Sequence, residues 1–419
     1  LQGALTPHPG WPQEFLGQGF YSPANICDVN GDAIPEILVR SQDGGAGVIH
    51  LFHHDGTELP GWPLDYGGNG FDGVSVIDLN RDGADELIFA SIDAGIFGGG
   101  KLEVIDGTGA ALPGWPLDLP GSQSFLMPPL VAPKGIASAF TDNTNHEHRF
   151  CVLNPRGKPL RWVETSATPY NAALGDLDMD GIPEMVIAGG NKLFLIGPSG
   201  RLPGWPADLQ AHSWYLALGD LNGNGQREVV AAAGAELHAL SASGSELPGF
   251  PFTYPGTTFF KQPALADLTA DGIPEIIITD EIGNLHAIQV TINGPRQLSG
   301  FPISTPGVSA GAVVGDLNGD SRPDIVTASF ESGGAGAQLL AYDASGQFVA
   351  GTPIALSGLA GIPSLADVDG DGFTEVVVTT YGSAFDFRGR VYVFDSQAPH
   401  DPAADWPLYR QSPTRSSQL

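Results

Sequence analysis

The sequence is short of bases. Lys and Arg number 18 against 47 Asp and Glu, a formal charge of −29 and a pI near 4.3 over 419 residues. Such a charge opposes binding to nucleic acid and to anionic membrane surfaces. Charged residues as a whole are also scarce, 16% where about a quarter is usual, so the acids are not a general coating. The helix formers Lys and Met are few, five and three, which argues against long helices. No apolar run reaches the ~18 residues of a spanning helix, so membrane insertion is not expected. No nucleophile elbow, phosphate loop or dinucleotide fingerprint occurs. Cys27 and Cys151 are the only cysteines; they form no CxxC pair and read as buried free thiols. The chain opens on Leu1 with no leader-like stretch, which fits a processed secreted protein or a trimmed chain.

Gly and Pro are plentiful, 58 and 35, and 42% of residues are hydrophobic, enough for a sizeable core. The excess of turn formers belongs to a repeat. Seven acidic segments recur: 28–36, 78–86, 176–184, 220–228, 267–275, 316–324 and 367–375. Their spacing is about 50 residues, with one gap of two periods. A second series runs GWP (10–12), GWP (61–63), GWP (114–116), RWV (161–163), GWP (204–206), GFP (249–251), GFP (300–302), GTP (351–353) and DWP (405–407). Nine marks bound eight repeats, near 13–63, 64–116, 117–162, 163–206, 207–251, 252–302, 303–353 and 354–407, of which 117–162 lacks the acidic loop.

Each repeat holds an apolar stretch, the acidic loop, a β-rich stretch such as EIIIT, an alternating stretch ending in a tight turn, and a short last element. Four strands in about 50 residues is the pattern of a propeller blade, and such blades must stack to bury their faces. The expected fold is all-β: one domain over 1–419, an eight-bladed β-propeller of four-stranded antiparallel blades, with seven blades the less favoured count. The Trp or Phe marks should fill the wedge between blades. The surplus mark leaves two ways to complete blade 8, through 9–12 or through 405–410.

The acidic loops place oxygen side chains at positions 1, 3, 5 and 9, with a backbone carbonyl at position 7. The sets are Asp28, Asn30, Asp32, Ile34 and Glu36; Asp78, Asn80, Asp82, Ala84 and Glu86; Asp176, Asp178, Asp180, Ile182 and Glu184; Asp220, Asn222, Asn224, Gln226 and Glu228; Asp267, Thr269, Asp271, Ile273 and Glu275; Asp316, Asn318, Asp320, Arg322 and Asp324; Asp367, Asp369, Asp371, Phe373 and Glu375. Alternate residues of a turning loop converge on one centre, and a hard cation with six to eight oxygen ligands, calcium above magnesium, fits it. The last acid stands at position 9 and enters a strand, unlike an EF-hand, whose last ligand is at 12. Ligand positions hold 22 of the negative charges, and about seven calcium ions would leave a net −15. The 220–228 loop carries least charge and should bind most weakly. Repetition points to a scaffold role and not to a catalytic metal, so no catalytic residue is assigned.

The run D-x-[DN]-x-[DN]-G-x-x-[DE] before an apolar strand, repeated over about 10–410, resembles the FG-GAP/VCBS family, which includes integrin alpha head domains and bacterial surface or secreted proteins. The resemblance implies a propeller with calcium in the strand 1–2 loops, usually outside the cytosol. Some fungal lectins share the fold, and some polysaccharide lyases use an eight-bladed version. The chain departs from the integrin pattern in its shorter repeats, its count of eight and its one metal-less repeat.

The face opposite the calcium loops carries aromatics, with Tyr21, Phe71, Tyr170, Trp214, Tyr215, Phe260, Phe387 and the neighbouring Arg388 as candidate ligand contacts. Packing competes with binding as their role. His53 and His54 read as solvent-exposed. The expected function is a non-enzymatic extracellular binding or adhesion propeller for a protein or glycan. A polysaccharide lyase and a structural spacer of a larger surface assembly are the alternatives. Only five Lys and no evident basic cleft argue against a lyase.

Overall fold

A computed structural model of the chain describes residues 5–401 apart from 17–18, 21, 44–45, 67–72, 93–99, 120–121, 125–128, 133–134, 143–146, 166–168, 198, 260, 332–335 and 383–387. The described residues contain strands and turns and no helix. β-branched runs such as Glu275–Thr279 form second strands buried on both faces, as expected where a sheet is sandwiched between two others.

The strands make eight antiparallel sheets in a ring. Blade 1 shows the plan. Asn25–Cys27 pairs with Glu36–Asp43, which pairs with Ala46–Phe52, which pairs with Leu64–Asp65. The inner strands touch in sequence around the ring: Asn25–Cys27, Ser75–Ile77, Leu130–Ala132, Pro169–Gly175, Ser213–Gly219, Ala264–Ala266, Val308–Gly315 and Ser364–Ala366, which returns to Asn25–Cys27. Side chains tie some of these contacts. Asn25 Nδ2 donates to the Val74 carbonyl at 2.9 Å, and Ser364 Oγ donates to the Ala24 carbonyl at 2.8 Å.

Blade 8 is completed by the N-terminal segment. Thr6–Pro7 and Gln13–Leu16 both pair with Arg388–Pro399. Of the two possible closures, the structure uses the mark at 10–12; residues 405–410 lie outside the described residues. The third blade, of Leu130–Ala132, Gly135–Asp142, Glu147–Leu153 and Pro159–Thr165, has no acidic loop, and Ala132 stands opposite Gly135 where its first two strands pair; Leu117–Leu119 belongs to blade 2.

The core lies between blades. One buried cluster joins blades 8 and 1 through Trp11, Phe20, Ile37, Val377 and Val391, and another joins blades 1 and 2 through Cys27, Leu51, Trp62, Val76 and Leu87. Both cysteines are buried free thiols. The G-W-P marks are seams. Trp11, Trp62, Trp115 and Trp205 are each 6–8% exposed. Their indole N–H groups donate to the carbonyls of His54, Gly107, Pro155 and Ala242, in the strand 3–4 turn of the next blade. The preceding glycine permits this approach: Gly10 has φ 89°, and a Cβ there would lie 2.0 Å from the Asp55 carbonyl oxygen. Each Pro of these marks follows a cis peptide bond.

Blade 3 departs from this plan. Trp162 is 45% exposed, and Arg161 Nη1 donates to the Gly197 carbonyl of blade 4 at 2.6 Å. Beside it an apolar cleft of about 580 Å³ opens between Leu130, Ile136, Leu160, Ile182 and Met185.

Candidate metal centre

All seven acidic loops join strands 1 and 2 of their blades, and their backbones are alike. Position 6 is left-handed in every copy, from φ 63° at Ser321 to 97° at Gly83, including Ala33 at 70°. Position 4 is left-handed too, and the sequence reading missed it: Gly31, Arg81, Met179, Gly223, Ala270, Gly319 and Gly370 have φ between 58° and 76°. Glycine at four of these seven was the available signal.

Hydrogen bonds hold this path. The position 1 carboxylate accepts the position 6 N–H, as Asp28 does from Ala33 at 2.8 Å and Asp267 from Gly272 at 2.7 Å. The position 5 oxygen accepts the position 7 N–H, as Asp32 does from Ile34 and Asp371 from Phe373, both at 2.8 Å. These bonds use the N–H groups, so position 7 retains its carbonyl for another partner. The position 9 acid is 0–1% exposed in all seven copies. It accepts the position 2 N–H, for example Leu177 to Glu184 at 2.9 Å and Val368 to Glu375 at 2.8 Å.

Position 3 divides the loops into two groups. Where it is Asn, the amide donates to the second oxygen of the position 9 acid: Asn30 to Glu36 at 2.6 Å, Asn80 to Glu86 and Asn222 to Glu228 at 2.7 Å, Asn318 to Asp324 at 3.1 Å. Thr269 donates to Glu275 at 3.2 Å. In 176–184 position 3 is Asp178, which has no such proton to give. Glu184 Oε1 is accordingly buried without a hydrogen-bond partner, and Asp176 Oδ1 is buried without one as well. Asp176, Asp178 and Glu184 place oxygens within 4.8 Å of one another, as do Asp367, Asp369 and Asp371. Buried acceptors without a donor and converging carboxylates are the donor set a hard dication satisfies. The residues present therefore fit such an ion.

Electrostatics point the same way. Burial pushes Glu36, Glu86, Glu228, Glu275 and Asp324 up to about 7 and Glu375 to about 8, and it raises Glu184. The position 2 N–H opposes that rise, and the neighbouring loop carboxylates add to it. Asp85, at position 8 of the second loop, also reaches the first: its carboxylate accepts the Asp28 N–H at 3.1 Å.

The candidate ligand face is less complete. Tyr21, Phe71, Phe260 and Phe387 lie outside the described residues, and of Trp214 only its place in strand Ser213–Gly219 is described. Tyr170 and Tyr215 are half-buried on the inner strands of blades 4 and 5. The Tyr170 ring lies 6.1 Å from that of His212. Arg388 belongs to blade 8, across the ring, and pairs with Glu14 at 3.3 Å. Phe20 and Phe259 pack inside, against His50 and His286 respectively.

One buried array has the look of a hydrolase triad. Ser41 Oγ lies 3.1 Å from His50 Nε2, and His50 Nδ1 lies 2.8 Å from Glu58. Ser41 and His50 are both 2% exposed. Blade 6 has Asp280, His286 and Gln297 at the matching places, and blade 5 has Ala233, His238 and Glu246. The histidine recurs while the would-be nucleophile changes, so the array ties strand 3 to the segment that follows it, joined by Ser41 in blade 1 and Asp280 in blade 6. His53 and His54, read as exposed, are both half-buried, and His54 lies near His8, which the sequence reading did not single out. The indole of Trp11 binds the His54 carbonyl and brings this turn under the seam.

Eight four-stranded antiparallel blades in a closed ring define the chain as an eight-bladed β-propeller. Residues 267–327 and 316–378 match the FG-GAP-like repeat model. With the same loop in seven blades, these matches and the eight-bladed ring support an FG-GAP-repeat propeller. The Dos1 propeller superposes with TM-score 0.54 at 13% identity, over 94% of this chain and 96% of that one. The V. cholerae biofilm matrix protein Bap1 gives 0.52 at 12%, over 96% and 92%. Quinohemoprotein alcohol dehydrogenase from Comamonas testosteroni gives 0.52 at 11%, over 94% and 77%. At these identities the likeness is one of fold, shared by enzymes and non-enzymes. No curated protein sequence matches the chain.

Proposed function

We propose that the protein is a calcium-stabilised, extracellular binding propeller that presents the face opposite its acidic loops to a protein or glycan. The observation that carries the calcium reading is the unpartnered pair of buried oxygens, Glu184 Oε1 and Asp176 Oδ1, in a loop whose turn is repeated in seven blades. About seven ions bind, each held by the side chains at positions 1, 3, 5 and 9 and the position 7 carbonyl. In the Asn loops the amide turns its oxygen inward to take part. Binding to the folded state alone stabilises it by about 2.7 kcal/mol per site when free calcium is 100-fold above Kd.

Metal analysis after dialysis against micromolar calcium should give close to seven equivalents, and excess chelator should lower the melting temperature by many degrees. No bound calcium together with an unchanged melt would refute the reading. The binding role is supported by the unequal ring of aromatics, with Tyr170, Trp214 and Tyr215 grouped on blades 4 and 5. A glycan array, with Trp214→Ala as control, tests this part; binding that the substitution does not weaken counts against this face.

A further inference from the structure

The ring closes at the seam between blades 8 and 1, and a second kind of ligand cluster lies there. We propose that His8, His54 and Asp369 form a zinc-class metal site that clasps this seam. Each of the three offers one ligand atom, and these atoms lie within 4.8 Å of one another. They come from three separate segments. His8 belongs to the N-terminal segment that completes blade 8, His54 to the strand 3–4 turn of blade 1, and Asp369 to the strand 1–2 loop of blade 8.

His8 is built as a ligand. It is 6% exposed, its N–H donates to the Val393 carbonyl at 2.9 Å, and its Nδ1 lies 2.5 Å from Asp395 Oδ1. With a carboxylate as partner, Nδ1 carries the proton and Nε2 keeps the lone pair. A carboxylate behind an imidazole is the usual support of a metal-ligating histidine, because it fixes tautomer and ring direction. His54 is held by its backbone, since the Trp11 indole donates to its carbonyl at 2.6 Å. The His8 and His54 rings meet edge to face, their centroids 6.0 Å apart.

The donor chemistry separates this cluster from the seven loops. Calcium takes oxygens, whereas two imidazoles and one carboxylate suit zinc, with a fourth position left to solvent. The adjacent His53 faces elsewhere, 3.6 Å from Glu36 Oε1, so neighbouring histidines serve different places. The clasp does not depend on the calcium reading, because neither histidine belongs to an acidic loop. If both hold, Asp369 bridges two ions.

Zinc titration by calorimetry in saturating calcium tests the clasp. The expected result is one equivalent with micromolar or tighter Kd and a higher melting temperature with zinc. His54→Ala should weaken zinc binding at least tenfold, with the zinc-free melt and the calcium stoichiometry unchanged. His53→Ala should bind zinc as the parent does. Cobalt(II) in place of zinc should give a visible absorption band that His8→Gln removes; should that variant fail to fold, His54→Ala alone decides. Absence of zinc binding in calcium, or binding undiminished by His54→Ala, would overturn the proposal. Zinc binding seen only without calcium would overturn it as well, since Asp369 would then serve one ion at a time. The calcium count comes from a separate measurement, so a failed clasp leaves the calcium reading intact.

Discussion

At position 3 of the acidic loops, one atom separates two states of readiness. The Asn30 amide hydrogen-bonds the buried Glu36, whereas Asp178 leaves Glu184 Oε1 without a donor. An unmet buried acceptor costs about 1–3 kcal/mol. Asp178→Asn should therefore raise the stability of the metal-free protein by about 1 kcal/mol, read from its melt in chelator. The same change should weaken calcium binding at that loop, read by titration. The left-handed positions offer a second test. Ser321 sits at φ 63°, where a Cβ is unfavourable. Ser321→Gly should stabilise by up to about 1 kcal/mol with the calcium count unchanged, checked by calorimetry.

At the scale of the blade, much was legible beforehand. The four-strand repeat, the position of the acidic loop between strands 1 and 2 and the third repeat without that loop all follow from turn residues and alternation, which are local properties. The use of Trp in the wedge was legible as well. The reason for its Gly was not, because Gly10 answers to the Asp55 carbonyl of another blade. Arg161 reaching the Gly197 carbonyl at the third seam, and His8 meeting His54, were hidden for the same cause: such contacts join residues that share no local pattern. The seams predict a contrast. Trp62→Ala removes a buried indole and its bond to Gly107 and should cost about 3–5 kcal/mol. Trp162→Ala, at a side chain 45% exposed, should cost less than about 1 kcal/mol. Melting curves of the two variants in calcium check this.

For the whole molecule, 22 of the 47 acids stand at positions 1, 3, 5 and 9 of the seven acidic loops, on one side of the blades. The ring as a unit depends on its first residues. Removing residues 1–16 takes away both segments paired with Arg388–Pro399 and bares a strand edge. Such an edge recruits other chains. The truncated protein should melt lower and self-associate by size-exclusion chromatography, and a synthetic peptide of residues 1–16 added in excess should reverse both effects. The pairing also sets a clock. Gln13–Leu16 is made about 375 residues before Arg388–Pro399. At about 5–20 residues per second these partners are separated by roughly 20–80 s. Each blade can order itself as it emerges, but the first segment stays unpaired until the last blade is made. The interval during which the chain is open to proteases and to mispairing therefore grows with the length of the whole ring, whatever the folding speed of a single blade.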